Sequence, residues 1–236
     1  MTLPTVSWAD IPKISSSQMQ QLVMLATGKY GLDSRLVVEH AGRNLAEIAN
    51  KYAPDDPVLV VAGRGNNGSG GIAAARLMAG VGRQVWVVPT HEAENYSGTP
   101  KEQLEFLKHF PNIRVRSGLP KMNFACVIDA AIGTQLEGPP RGRTLDVITV
   151  LNSMGEGCCV ISLDAPTGMM ADDGTVPGDV VAATMTLALA LPKHGVKPGS
   201  QAGRIFVGDV GIPQAVYADV GLDAFKRPDF VFEVVE

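Results

Sequence analysis

The chain has few of the features that would place it in a membrane or outside the cell. None of its apolar runs approaches the roughly 18 residues needed to span a bilayer. The N-terminal stretch lacks the basic start and the hydrophobic run of a signal peptide. Cysteine is scarce as well: Cys126, Cys158 and Cys159 lie in apolar, strand-like runs typical of buried thiols, not of a disulfide framework. We therefore expect a cytoplasmic protein with no membrane partner.

An excess of positive charge is also missing. The 20 Lys and Arg residues are outnumbered by 24 Asp and Glu residues, and the net charge of −4 is scattered along the chain. Binding to nucleic acid usually needs a basic stripe, so nucleic acid is not expected as a partner. The sequence shows no His or Cys cluster of the kind that holds zinc. With no internal repeat and no low-complexity linker, we expect a single domain over residues 1–236, with residues 1–14 as an N-terminal arm or cap.

Short apolar segments alternate with helical stretches, which is typical of an α/β fold around a mostly parallel sheet. The sequence predicts a first helix opened by a capping box at Ser17 and Gln20. The segment after Val210 shows little pattern. The remaining elements are strands predicted over residues 58–62, 84–88, 124–130, 158–163, 185–191 and 204–210, and helices over 34–52, from about Ile72 and within 91–110.

The stretch from Gly63 to Gly71 carries the strongest functional signal. It has five glycines in nine positions and stands between a predicted strand and a helix expected to begin near Ile72. In that arrangement backbone N–H groups face an anion, and glycine allows positive φ and close approach of a ligand. Asn66 and Asn67 add side-chain amides that a simple turn does not need. The stretch therefore predicts a ligand site.

The type of ligand is less obvious from the glycines alone. They satisfy the dinucleotide pattern GxGxxG, but the second strand is not closed by the acidic residue that usually holds a ribose. A Walker phosphate loop is excluded because no Gly-Lys-Ser/Thr follows. Other polar residues stand at strand ends: Asp129 after the third strand, and Asp164 and Thr167 after the fourth. Carboxyl ends of parallel strands share one sheet edge, so we expect these groups in one site.

Several ordered motifs resemble the YjeF N-terminal domain family, the NAD(P)HX epimerases. They are GRGNNGSGG with its following helix, VVEHAG, VIDAAIGTQLEGPPRG, ISLDAPTG and TMTLALALPKHG, which together cover roughly residues 16–210. The resemblance implies a Rossmann-like three-layer sandwich with a mostly parallel central sheet, and a homodimer. It also implies a nucleotide-like small-molecule substrate, in which the C6 hydroxyl of a hydrated nicotinamide is epimerised.

The resemblance also implies which residues act. A bound potassium ion is expected on Asn67, Asp129 and Thr167, whose oxygens are hard donors suited to a hard cation. Asp164 is the expected catalytic residue, and Arg141 and Arg143 could reach phosphates. The expected substrate-binding residues are Asn66, Asn67, Gly68, Ser69, Gly70, Gly133, Thr134, Gln135, Leu136, Glu137, Gly138, Pro139 and Asp164.

Two departures from the family pattern leave alternatives open. Ser69 and Gly70 stand where the family loop commonly has a glycine and an aspartate, and Thr90 stands near a common lysine. The chain is therefore interpreted as an NAD(P)HX epimerase, as an enzyme of the same fold acting on another small substrate, or as a non-catalytic nucleotide-binding or dimerisation module. Retention of Asp129, Asp164 and the glycine loop favours a working pocket. The ADP-dependent dehydratase domain fused to many relatives is not expected here.

Overall fold

The computed structural model describes residues 2–136, 138–155, 157–222 and 225–236. Within them the chain forms nine strands and six α-helices. The strands are β1 Thr5–Ser7, β2 Val58–Ala62, β3 Val85–Pro89, β4 Ile113–Val115, β5 Cys126–Ala130, β6 Cys159–Leu163, β7 Met185–Leu189, β8 Arg204–Gly208 and β9 Val231–Val235. The helices are α1 Ser16–Gly28, α2 Ser34–Tyr52, α3 Asn66–Gly80, α4 Gly98–Leu107, α5 Arg143–Asn152 and α6 Gln214–Asp219.

All nine strands belong to one sheet in the order β1-β9-β8-β7-β6-β5-β2-β3-β4. Every neighbouring pair is parallel except β8 and β9. The strands that precede the predicted site residues, β2, β5 and β6, are direct neighbours. Their carboxyl ends therefore open on the same edge, as the sequence predicts.

Helices cover both faces of the sheet, because successive strand residues point to opposite sides. On β2, Val58 and Val60 pack into a core with residues of α2 and α3, whereas Leu59 and Val61 pack with residues of α5. Residues of α1 and α6 pack on the β7–β9 part of the sheet, on the same face as α5. The expected three-layer α/β sandwich with a mostly parallel sheet is confirmed.

The ends of the chain differ from the prediction. The N-terminal arm contributes β1, which pairs in parallel with β9, and the segment after Val210 contains α6 and β9. Strands of three residues, such as β1 and β4, are too short to show an alternating pattern in sequence. The capping box of α1 is formed by Ser15 and Gln18, not by Ser17 and Gln20. No helix among the described residues is long and apolar enough to cross a membrane.

Candidate functional site

The glycine-rich stretch is mostly helix, which the sequence did not predict. Helix α3 begins at Asn66 instead of near Ile72. Its N-cap is Gly65, which makes no side-chain capping hydrogen bond. The first backbone N–H groups of α3 therefore point out of the sheet edge without a side-chain cap, as an anion site requires.

Close packing, and not positive φ, explains four of the five glycines of this turn; Gly65, where a Cβ would meet nothing within 4 Å, is the exception. None of them has a φ in the left-handed region. A Cβ on Gly68 would lie 1.8 Å from the carbonyl oxygen of Gly63, and one on Gly71 would lie 2.6 Å from the Cβ of Ala130. Helix α3 can begin here because its first turn lies directly against the β2 and β5 strand ends. The conformational freedom inferred from the sequence was the wrong reason for these glycines.

Asp129 lies at the end of β5 and is fully buried. One carboxylate oxygen accepts hydrogen bonds from the Ser162 hydroxyl at 2.9 Å and the Thr167 backbone N–H at 2.8 Å. The other accepts from the Thr167 hydroxyl at 2.7 Å and from the Ala131 N–H at 3.3 Å. Burial raises the pKa of Asp129, and the hydrogen bonds from Thr167 and Ser162 oppose that rise. The structure thus joins two of the three predicted potassium ligands.

These groups fit a monovalent cation. Asp129 forms no ion pair with any residue in the described ranges, so no cationic side chain there would compensate a negative charge on it. The amide of Asn67 lies 3.1 Å from the Leu163 carbonyl oxygen and 3.2 Å from the Gly133 nitrogen, in the orientation that satisfies both. An amide, a carboxylate and a hydroxyl are the donor types that a hard cation prefers. Across the described part of the chain no group of three His, Cys, Asp or Glu residues could hold a metal.

Asp164 follows β6 in a strained conformation. Its φ is 69°, in the left-handed region that non-glycine residues rarely adopt. Its N–H donates to the Leu187 carbonyl at 2.7 Å, and its Oδ1 accepts from the Leu189 N–H at 3.1 Å. Both contacts tie the residue to the neighbouring strand β7. Strain held by such contacts is common at functional sites.

Lys193 contacts a predicted site residue, although the sequence analysis gave it no role. Its ammonium group forms an ion pair with Asp164 Oδ1, and its side chain is fully buried. It also donates to the carbonyl oxygens of Leu189 and Leu191, at 3.3 and 3.5 Å. A signal was present in the sequence: a single charge follows the apolar run LALALP. A lysine is almost never fully buried unless it is paired.

The predicted loop after β5 lies partly over the Asn67 side chain. Gly133 has φ 70°, and a Cβ there would lie 2.8 Å from Cγ of Asn67, so both conformation and space require glycine. Thr134 is half-buried, and Glu137 lies outside the described residues. A cavity of about 320 Å³ is lined by Gln135, Leu136, Gly138 and Pro139, with Ile132, Pro140, Arg141 and Thr144. Asp164 and the start of α3 are not among the described residues that line it.

The end of β3 carries a different set of groups. Thr90, at the position near a common family lysine, is buried, and its hydroxyl lies 2.9 Å from Nδ1 of His91. Burial and the nearby Arg64 and Arg143 lower the pKa of His91. Arg143 donates to the Pro89 carbonyl at 3.1 Å and lies 3.3 Å from a Glu92 carboxylate oxygen. It therefore ties α5 to β3, whereas Arg141 lines the cavity.

Comparison with known proteins agrees with this arrangement. The family model described as YjeF-related protein N-terminus matches residues 34–195. An NAD(P)H-hydrate epimerase of Truepera radiovictrix is 59% identical over 215 residues, covering 91% of this chain and 97% of the relative. An NAD(P)H-hydrate epimerase of Dehalogenimonas lykanthroporepellens is 37% identical, covering 95% and 92%.

A solved structure supports the fold. The crystal structure of the yeast protein ynu0, YNL200c, matches with a TM-score of 0.81 at 20% identity and covers 94% of this chain and 100% of the yeast chain. At that identity the likeness concerns the fold alone. The family match spans more than half of the chain and includes every motif from α2 to the turn that carries Lys193. This chain belongs to the YjeF N-terminal family.

Proposed function

We propose that this protein is an NAD(P)H-hydrate epimerase. The observation that carries the proposal is the 59% identity, over 91% of this chain, to a relative of that name. The structure supports it because Asp129, Asp164 and the start of α3 stand on neighbouring strand ends of one sheet edge. A pure scaffold would not need a buried carboxylate and a strained, ion-paired one side by side.

The substrate is held between the start of α3 and the loop after β5. The uncapped N–H groups at the α3 start bind a phosphate, because the helix dipole and the free donors both favour an anion. The cavity of about 320 Å³ takes a further part of the dinucleotide, and Arg141 stands at its wall. Asn67 connects the two regions, since its amide contacts Gly133 and the residue just before Asp164.

Asp164 acts first as the acid and then as the base. Its carboxylic acid form protonates the C6 hydroxyl, the C6–O bond breaks, and water leaves with the bonding electrons. The lone pair of the ring nitrogen N1 forms a C6=N1 iminium. Water then adds to either face: a new C6–O bond forms, the π electrons return to N1, and the released proton goes to the carboxylate. The proton count is unchanged over the cycle, and such acid–base assistance contributes about 10²- to 10⁴-fold.

Exchange between the two C6 epimers of hydrated NADH and hydrated NADPH tests the proposal. We expect wild type to catalyse exchange and Asp164→Asn to lose about 10²- to 10⁴-fold. Asp55→Asn is the matched control, because Asp55 is exposed in the turn before β2, at the opposite edge of the sheet. A fully active Asp164→Asn variant contradicts the role of Asp164. A wild type inactive on both hydrates points instead to an enzyme with another small substrate, or to a binding module.

Two finer features complete the proposal. A potassium ion would bind between Asn67, Asp129 and Thr167, and its charge would compensate the buried carboxylate of Asp129.

The protein acts as a homodimer on the cytoplasmic nucleotide pool, as the family resemblance implies. Light scattering of the purified chain measures its mass in solution, and a monomer at working concentration contradicts the dimer.

A further inference from the structure

We propose that Lys193 is a positioning residue for the reaction: it fixes the Asp164 carboxylate by one oxygen and leaves the other free for substrate. This inference rests on the proposed function and names a residue that the reaction depends on. The contacts between Lys193 and Asp164 support this inference. Oδ1 of Asp164 accepts from both the Lys193 ammonium and the Leu189 N–H. Among the described residues no donor bonds Oδ2, and the Asp164 side chain remains 10% exposed.

The Lys193 side chain has 0% exposure, so its ammonium group is removed from solvent, whereas the Asp164 side chain is 10% exposed. Burying an ammonium group is expensive unless it is paired and hydrogen-bonded. Its partners are the Asp164 carboxylate and the Leu189 and Leu191 carbonyl oxygens. The fold thus retains a costly group whose one charged contact, among the residues that the structure describes, is the proposed catalytic residue.

Several elements converge to hold this lysine in place. The Ile14 N–H donates to the Pro192 carbonyl at 3.1 Å, and Ile14 bridges to Lys193 in a parallel register. The Gly195 N–H donates to the Ala171 carbonyl at 2.8 Å, in the loop that follows Asp164. A Cβ on Gly195 would lie 2.0 Å from the nitrogen of Gly174, so the turn and that loop are in direct contact. The pair is therefore built from the N-terminal arm, the β6 loop and the β7 turn together.

The consequence for the reaction follows from the geometry of the pair. Because Lys193 and the Leu189 N–H both bond Oδ1 of Asp164, Oδ2 is the oxygen left to accept a proton when water adds to the iminium. In that step the new C6–O bond forms, the π electrons return to N1 and the water proton passes to Oδ2. Lys193 keeps its own protons throughout. It also prevents rotation of the carboxylate, so that Oδ2 keeps its direction toward the substrate.

Kinetics of Lys193→Met test this role, since methionine has a similar length and no charge. We expect a loss in kcat close to that of Asp164→Asn, and no further loss in the double variant, because the two residues act as a unit. Lys197→Met is the matched control, because Lys197 is exposed four residues further along the chain. Wild-type kinetics in Lys193→Met would overturn the proposal, and so would losses that multiply in the double variant.

Two further measurements separate a positioning role from a structural one. In Lys193→Ala, added n-propylammonium should restore part of the rate by occupying the vacated space, and no restoration contradicts the role. The second measurement is ¹⁵N NMR, which needs no substrate and no destabilised variant. In wild type, the Lys193 ammonium group should give a signal protected from exchange with solvent. Asp164→Asn should shift that signal. Absence of that signal, or no shift, refutes the pair. An inactive wild type with the expected signal would refute the proposed function and leave the pair intact.

Discussion

At the residue scale, two neighbouring carboxylates differ in how their charge is balanced. Asp164 pairs with a buried lysine, whereas the fully buried Asp129 accepts four hydrogen bonds and, among the described residues, has no cationic partner. A buried carboxylate can remain neutral by holding a proton, or remain charged by holding a cation. The proton and a potassium ion therefore compete for the same group, and this competition can be measured.

We expect potassium to stabilise the protein more at high pH than at low pH. Burial raises the pKa of Asp129 above its ordinary 3.8, so between that value and the raised pKa the native state binds a proton that the unfolded chain has released. Stability then falls as pH rises through this window. Potassium binds the ionised form and offsets the loss. Its stabilisation reaches about 2.7 kcal/mol at about 100 times its Kd.

Melting temperatures in potassium chloride and in tetramethylammonium chloride, at about pH 5 and about pH 8, measure this effect. At roughly 2–4 °C per kcal/mol for a chain of this size, the difference is easily resolved. Asp129→Asn keeps the shape of the side chain and should abolish the difference between the two salts. Identical melting of wild type in both salts at the higher pH contradicts the cation site.

At the element scale, the start of α1 shows how a helix boundary is fixed by one side chain. Both Ser15 and Ser17 stand three residues before a glutamine, so the capping pattern fits twice. In the structure the Ser15 hydroxyl accepts from the Gln18 N–H at 3.1 Å, and the Gln18 side chain accepts from the Ser15 N–H at 2.9 Å. Ser15→Ala should lower the free energy of unfolding by about 1 kcal/mol. Ser17→Ala, measured beside it by urea titration, should leave it nearly unchanged, and equal losses would contradict this boundary.

Helix α3 gives the second prediction at this scale. Gly68→Ala places a Cβ 1.8 Å from the Gly63 carbonyl oxygen, which is a backbone atom, so the first turn of α3 must move. We expect a loss of about 1–3 kcal/mol in stability, together with weaker nucleotide binding. Gly80→Ala is the matched control, because a Cβ there meets nothing within 4 Å in the same helix. Unchanged nucleotide affinity in a folded Gly68→Ala variant would contradict the phosphate site at this turn.

The strongly patterned elements were predictable and the short or glycine-rich ones were not. Helix α2 was predicted with its bounds, since its apolar residues repeat at helical spacing between clear ends. The start of α3 was misplaced because glycine usually opposes a helix, and only its contacts with β2 and β5 explain its presence. The motifs predicted that Asp129 and Thr167 lie together in one site. They did not predict the partner of Asp164, because the ion pair joins residues that follow two different strands, β6 and β7, and no local pattern encodes the distance between them.

At the scale of the whole molecule, the N-terminal segment pairs with the last strand of the chain and also contacts the candidate site. Strand β1 is hydrogen-bonded to β9, and Ile14 packs in the core shared by α1, α6 and the β7–β9 strands. The same Ile14 bridges to the turn that carries Lys193. A change in this segment therefore has two separable consequences, one for stability and one for the geometry of the Asp164–Lys193 pair.

Ile14→Ala should reveal both consequences. Ile14 is fully buried, and truncation of such a side chain lowers stability by about 2–5 kcal/mol. Leu151→Ala is the matched control: Leu151 is 2% exposed and lies in the separate core beneath α5, so its truncation should lower stability by a similar amount. Urea titration gives the two stabilities, and epimer exchange at a temperature where both variants are folded gives kcat. We expect kcat to fall only in Ile14→Ala, because only that change loosens the backbone around Lys193. An equal kcat in the two variants would show that the N-terminal segment supports the fold without holding the Asp164–Lys193 pair.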